Sequence, residues 1–351
     1  MTFISRLTFD WTVIASLFTI LTLFRLRGRM GVSQRVEFPP AILLLRPVDS
    51  PTASELDLLR RPVTYRGDLK QVVITPFSLS LPRDIEWLPS QPDCPNRKVG
   101  HLLFGLEQIE RAGRIVVSID ADVSVTDELL ESLAVPVSQG AALVSAAPRP
   151  VHSRGLPGRA ARAWLRNTHH NFVALFWMRR TVPTICGKAI GLGTAAQAEL
   201  AHLTHVAGED LELGARLEAK SHPVLLATCY AKMPQADNLS WKQALERPTR
   251  WMCILRKQRP WLYLTVPLLL APTSILAVLT LVSPSLWTLG AILTLGLVRS
   301  FLAFRLGEEW TVGWVGGEIL LLVAFTRSLF MQQLYWRGRR FSFESARETS
   351  A

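Results

Sequence analysis

Two carboxylates one residue apart, Asp120 and Asp122, close a short apolar run that begins Arg114-Ile-Val-Val-Ser-Ile119. β-Branched residues at that density read as a buried strand. In an open α/β sheet, ligands bind just beyond the carboxyl ends of the strands. An acid-any-acid pair there can hold a divalent metal that itself carries a diphosphate, because hard oxygen ligands suit magnesium or manganese. The competing reading makes both aspartates caps of a helix that starts near Thr126-Asp127-Glu128.

The elements that must position this pair alternate between strand and helix. Residues 41–45 and 71–74 are apolar runs bounded by proline and charge, the look of parallel core strands. A helix is expected over 54–61 between them. Residues 98–112 form an amphipathic helix with Leu102, Leu103, Leu106 and Ile109 on one face. A helix over 129–137 and a strand over 142–146 continue the alternation, which implies a mostly parallel α/β sheet. Residues 187–194 read as a Gly-rich loop, followed by helices over 195–203 and 211–220 and a strand over 224–227.

Composition adds a membrane. The 351 residues are 49% hydrophobic, with 11 tryptophans and a net charge of +11. A basic balance suits nucleic acid, an anionic membrane surface or phosphorylated ligands. No RNA-binding signature, zinc knuckle or helix-turn-helix pattern is present, so a nucleic-acid partner is not expected. Four cysteines without metal-site spacing suggest reduced thiols on a cytosolic face.

Residues 11–24 are almost wholly apolar, and Arg25, Arg27, Arg29 and Arg35 follow them. That order describes a signal anchor, with later residues in the cytoplasm, at the inner membrane if the cell is bacterial. Residues 154–180 mix arginines with Trp164, Phe172, Phe176 and Trp177, which suits a helix lying in a membrane interface or a surface helix with snorkelling arginines. Residues 261–282 are long enough to span; 286–304 and 312–336 are further candidates. Three such spans would leave Arg337, Arg339 and Arg340 outside, against the positive-inside rule, whereas two spans or a hairpin satisfy it. The expected domains are an anchor (1–30), a cytoplasmic domain (38–257), membrane helices (260–336) and a basic tail (337–351).

Four clusters stand on this frame in a fixed order: Asn96-Arg97-Lys98, Asp120-Ala-Asp122, Glu209-Asp210 and Arg247-Pro-Thr-Arg250-Trp251. In that order they resemble the membrane-bound ceramide glucosyltransferase-like and hopanoid-type glycosyltransferases. The resemblance runs from the first apolar helix to the C-terminus and is densest over 94–257. It implies an α/β GT-A fold with terminal transmembrane helices, and an inverting transfer of sugar from a UDP-sugar to a lipid hydroxyl, ceramide- or hopanoid-like.

The family's Asn-x-Lys stretch is matched by Asn96 to Val99, its strand-end aspartate by Asp120, and its Gly-led acceptor loop by Gly187 onward. Its Glu-Asp pair falls on Glu209 and Asp210, and its arginine-tryptophan box on Arg247, Arg250 and Trp251. An acceptor-side histidine falls at or beside His170. The resemblance then assigns roles. Asp120 and Asp122 would hold Mn2+ or Mg2+ against the leaving diphosphate. Lys98, Asp120, Arg247, Arg250 and Trp251 would serve the donor. Asp210, paired with Glu209, would take the acceptor's proton; the plain alternative for these two is a helix cap and a solvent charge.

One departure matters. The family carries an aspartate just past the second strand, but here Ile74-Thr75-Pro76-Phe77-Ser78 brings no acid before Asp84. Asp49 could replace it. A processive polysaccharide synthase and a non-catalytic membrane homologue therefore stay open beside the lipid glycosyltransferase, as does the oligomeric state.

Overall fold

The computed structural model describes residues 3–27, 36–151, 154–179, 185–234, 239–305, 312–331, 333–336 and 339–342. In chain order the first half contains α1 (Phe3–Arg27), β1 (Ile42–Pro47), α2 (Ala53–Leu59), β2 (Leu69–Thr75) and β3 (Ile85–Pro89). Next come α3 (Arg97–Gln108), β4 (Ile115–Ile119), α4 (Asp127–Ser138), β5 (Leu143–Ser145), β6 (Pro148–Val151) and α5 (Gly155–Arg179). The second half has β7 (Ala189–Leu192), α6 (Thr194–Glu199), α7 (Glu209–Ala219), β8 (Val224–Leu226) and β9 (Ala231–Pro234). It ends in α8 (Trp241–Gln258), α9 (Pro260–Leu270), α10 (Pro272–Val282), α11 (Leu286–Arg305), α12 (Trp314–Phe330), β10 (Gln333–Trp336) and β11 (Arg339–Ser342).

The chain divides into two compact units. One, residues 30–151, 179–234 and 335–351, is built on a seven-stranded sheet of order β3-β2-β1-β4-β7-β5-β8. β1 pairs in parallel with both β2 and β4, so the chain winds outward from β1 to β3 and then returns to β4. All six residues of β1 are buried, as expected of a strand covered on both faces. Leu43, Leu45, Val72, Ile74, Leu102 and Val116 share one core, each such side chain contributing roughly 1.5–3 kcal/mol on burial.

The segment expected to be a Gly-rich loop is a strand. β7 runs antiparallel between β4 and β5 in the middle of the sheet. Its glycine serves close packing and not a turn: a Cβ at Gly191 would stand 2.6 Å from the Leu133 carbonyl of α4.

The other unit, residues 1–29, 152–178 and 235–334, is helical. α12 crosses α5 where a Cβ at Gly317 would lie 2.6 Å from the Trp164 amide. Phe3–Thr22 and Leu286–Arg305 are each 20 residues long and apolar enough to cross a membrane. Residues 261–282 are not one straight helix, because Pro272 cannot continue α9; the chain bends by 69° into α10.

Polar partners meet the broken backbone. Trp11 Nε1 donates to the Pro272 carbonyl at 3.1 Å, and the Ser274 N–H donates to Glu318 Oε2 at 3.0 Å. Arg299 pairs with Glu318 at 3.0 Å and lies over the Trp314 ring. α12 stops at Phe330 after 17 residues, short of the 312–336 expected, and Met331 already has an extended backbone.

Candidate active site

Winding reverses between β1 and β4, and the carboxyl ends of strands at such a point are the usual ligand position in open α/β sheets. Asp120 follows β4 directly, and its N–H donates to the Lys188 carbonyl at 2.9 Å. The helix-cap reading of the acid pair does not hold. Thr126 caps α4, accepting from the Leu129 N–H at 3.2 Å, so both aspartates are left for other work.

Beneath them, Arg46 is fully buried. Its Nη2 donates to the carbonyls of Asp120, Ala121 and Val123 at 3.1, 3.3 and 2.9 Å, and its Nη1 to Leu58 at 3.3 Å. Burial pulls its guanidinium down to about 10, against the pull of Asp122 and Asp120, so it is cationic at neutral pH. This one side chain holds the turn that carries the acid pair.

Two ammoniums meet the carboxylates. Lys98 lies in the first turn of α3, which Asn96 caps by accepting from the Val99 N–H. Lys98 Nζ is 2.8 Å from Asp120 Oδ1, 2.6 Å from the Gly187 carbonyl and 3.4 Å from Glu209 Oε1. Burial pulls this ammonium down, but Asp120, Glu209 and Asp210 outweigh that and hold it above its ordinary value. Lys188 lies 2.9 Å from Asp120 Oδ2 and 2.8–2.9 Å from both oxygens of Asp122. Burial raises the Asp120 carboxyl, yet Lys188 and Lys98 prevail and keep it below the usual range.

Asp210 sits in the first turn of α7, where a carboxylate faces the positive end of the helix. Its Oδ2 accepts from the Gly187 N–H at 2.8 Å and its Oδ1 from the Leu211 N–H at 2.9 Å. Burial, reinforced by Glu209, pushes Asp210 up to about 6 against those hydrogen bonds and Lys98. Asn96 Nδ2 donates to Glu209 Oε2 at 3.1 Å, which ties α3 to α7. Glycine at 187 gives Lys98 and Asp210 room to approach, since a Cβ would lie 3.1 Å from Lys98 Nζ and 3.3 Å from Asp210 Cβ. The neighbouring Cys186 thiol is pushed up to about 12 by burial and stays protonated.

The donor set suits a hard divalent cation. Three carboxylate oxygens from Asp120 and Asp122 converge on one nitrogen, Lys188 Nζ, which stands in for a cation at that point. Among the described residues no three His, Cys, Asp or Glu side chains group as ligands. A magnesium-type site needs no more than one or two carboxylates when phosphate oxygens complete it.

Of the residues expected from sequence, Lys98, Asp120, Asp122, Gly187, Glu209 and Asp210 come together here. Arg247, Arg250 and Trp251 lie on α8 of the helical unit, where the Trp251 ring meets Trp164 edge-on at 5.3 Å. His170 falls within α5, and its side chain lies outside the described residues. Asp49, beyond β1, pairs with Arg97 at 2.5 Å. Sequence reading missed Arg46 and Lys188. A lone arginine closing the apolar run Ile42–Leu45 was the available signal for the first; nothing local marks the second.

A mannosyltransferase from Pyrobaculum calidifontis, solved in complex with GDP-Man and Mn2+, has a similar structure. Its TM-score is 0.51 at 14% identity, over 93% of this chain and 99% of that one, and the shared fold is GT-A. A search of curated protein sequences finds no match. Residues 87–349 match the model of glycosyl transferase family 21, which takes in the strand, the acid pair, the Glu-Asp helix and the arginine-tryptophan box. This chain is a glycosyltransferase and belongs to glycosyl transferase family 21.

Proposed function

We propose that the protein transfers a hexose from a UDP-sugar to the hydroxyl of a membrane lipid, ceramide- or hopanoid-like, with inversion. The observation that carries this reading is the pairing of Asp210, raised to about 6, with the cationic cluster of Lys98 and Lys188 around Asp120. A base with a pKa just below the working pH is ionised and still takes a proton readily. The acceptor oxygen bonds to the anomeric carbon as that carbon's bond to the diphosphate oxygen breaks. The hydroxyl proton passes to an Asp210 carboxylate oxygen. Lys98 meets charge that builds on the leaving diphosphate, and Arg247 and Arg250 can grip it bidentately.

A divalent cation held by Asp120 and Asp122 would supply Lewis-acid neutralisation of the diphosphate. The Pyrobaculum enzyme's complex with Mn2+ and a nucleotide sugar supports that choice of partner. A lipid acceptor is supported by the apolar helices α1 and α11 carried in the same chain. In this reading residues 1–30 anchor, 38–257 hold the cytoplasmic catalytic domain, 260–336 are membrane helices, 337–351 form a basic tail, and Gly187 and His170 lie toward the acceptor. A reporter fused near residue 140 should be shielded from outside an intact cell; labelling there would reverse the orientation.

The deciding assay is UDP release by detergent-purified protein over a panel of UDP-sugars, with Mn2+ or Mg2+, with and without lipid alcohols. Release that requires both one donor and one lipid is the expected result. A long polymeric product would instead mark a processive synthase, and neither release nor UDP binding would mark a non-catalytic homologue.

A further inference from the structure

Lys188 occupies the point to which Asp120 and Asp122 direct any cation. Its Nζ lies within 2.9 Å of one Asp120 oxygen and both Asp122 oxygens. The main chain at this residue is pinned, because its carbonyl accepts from the Asp120 N–H at 2.9 Å. The four-carbon stem beyond it can still turn, so the ammonium can leave without moving the strand. Lys98 differs: it is held at once by Asp120, Glu209 and the Gly187 carbonyl.

Formal charge shows what an exchange would do. Asp120, Asp122, Lys98 and Lys188 sum to zero (two carboxylates and two ammoniums), which gives an anionic diphosphate no net attraction. A divalent cation on the carboxylates brings the same group to +2. It also frees an ammonium beside the site.

We propose that Lys188 is an exchangeable counter-ion: a divalent cation displaces it from Asp120 and Asp122, and the released ammonium pairs with the diphosphate of the donor. Lys188 thereby couples cation binding to nucleotide binding, and the coupling is reciprocal. The inference rests on the nucleotide-diphosphate donor proposed above.

The test is Mn2+ binding to the full chain in detergent, read by electron paramagnetic resonance of free Mn2+, with and without UDP. Wild type should bind Mn2+ weakly alone and roughly tenfold to a hundredfold more tightly with UDP. Lys188→Met removes the competitor, so Mn2+ affinity without UDP should rise about tenfold and the coupling factor fall by at least as much. Lys188→Arg, which grips carboxylates more firmly, should shift Mn2+ affinity without UDP the opposite way, several-fold weaker than wild type. Unchanged Mn2+ affinity in both variants would overturn the exchange. So would wild-type UDP binding that ignores Mn2+, since Lys188 would then be a permanent counter-ion while the donor reading stood. No UDP binding under any condition would overturn the donor reading, and the exchange with it.

Discussion

Asp210→Asn is expected to lower turnover by about 10³-fold while leaving UDP binding within roughly threefold of wild type. Asparagine keeps one oxygen to accept from the Gly187 N–H and gives up the bond from the Leu211 N–H, so the link from α7 to Gly187 persists while the proton acceptor is lost. In wild type, kcat/KM should fall as pH drops through about 6, because protonation removes the base. The variant should lack that limb. The same shift carries a sign for stability. A carboxyl raised in the fold from 3.8 to about 6 binds its proton more tightly there than in the unfolded chain. Stability is therefore lost as pH rises through that window. Single-turnover rates within tenfold of wild type would remove Asp210 as the base.

Arg46→Met should have the largest effect on stability. It strips the guanidinium from four carbonyls at a fully buried position; that of Asp120 keeps the Val123 N–H, which leaves those of Leu58, Ala121 and Val123 to carry the cost. Unsatisfied buried groups cost about 1–3 kcal/mol each, so a loss of at least about 3 kcal/mol is expected. In a thermal melt of the detergent-solubilised protein that corresponds to a fall of roughly 6–12 °C. Turnover should fall as well, since the turn from Asp120 to Val123 carries the acid pair. Arg46→Lys keeps the charge without the planar fork and should recover only part of both. A melting temperature within about two degrees of wild type would show that the carbonyls find other donors.

The parallel half of the sheet was legible because β1, β2 and β4 carry apolar runs, leucine-rich in β1 and β-branched in β2 and β4, buried on both faces. β7 was not, because Gly191 within it and Gly187 and Gly193 beside it mimic a loop locally; the reason for Gly191 is the α4 backbone, more than fifty positions away in sequence. β3 hides in the polar edge pattern Ile85-Glu86-Trp87. The same distance limits the site. The acid pair, Lys98 and Asp210 could be read from motif order. The use of Lys188 depends on an antiparallel strand returning beside β4, which no local spacing foretells. Arg46 belongs to the same class, a cation three of whose four carbonyl partners lie 74 to 77 residues on.

The bend between α9 and α10 brings main-chain groups within reach of side chains from α1 and α12: Trp11 donates to the Pro272 carbonyl, and Glu318 accepts from the Ser274 N–H. The break is thus stapled by two helices distant from it in sequence, which makes it a fixed corner and not a hinge.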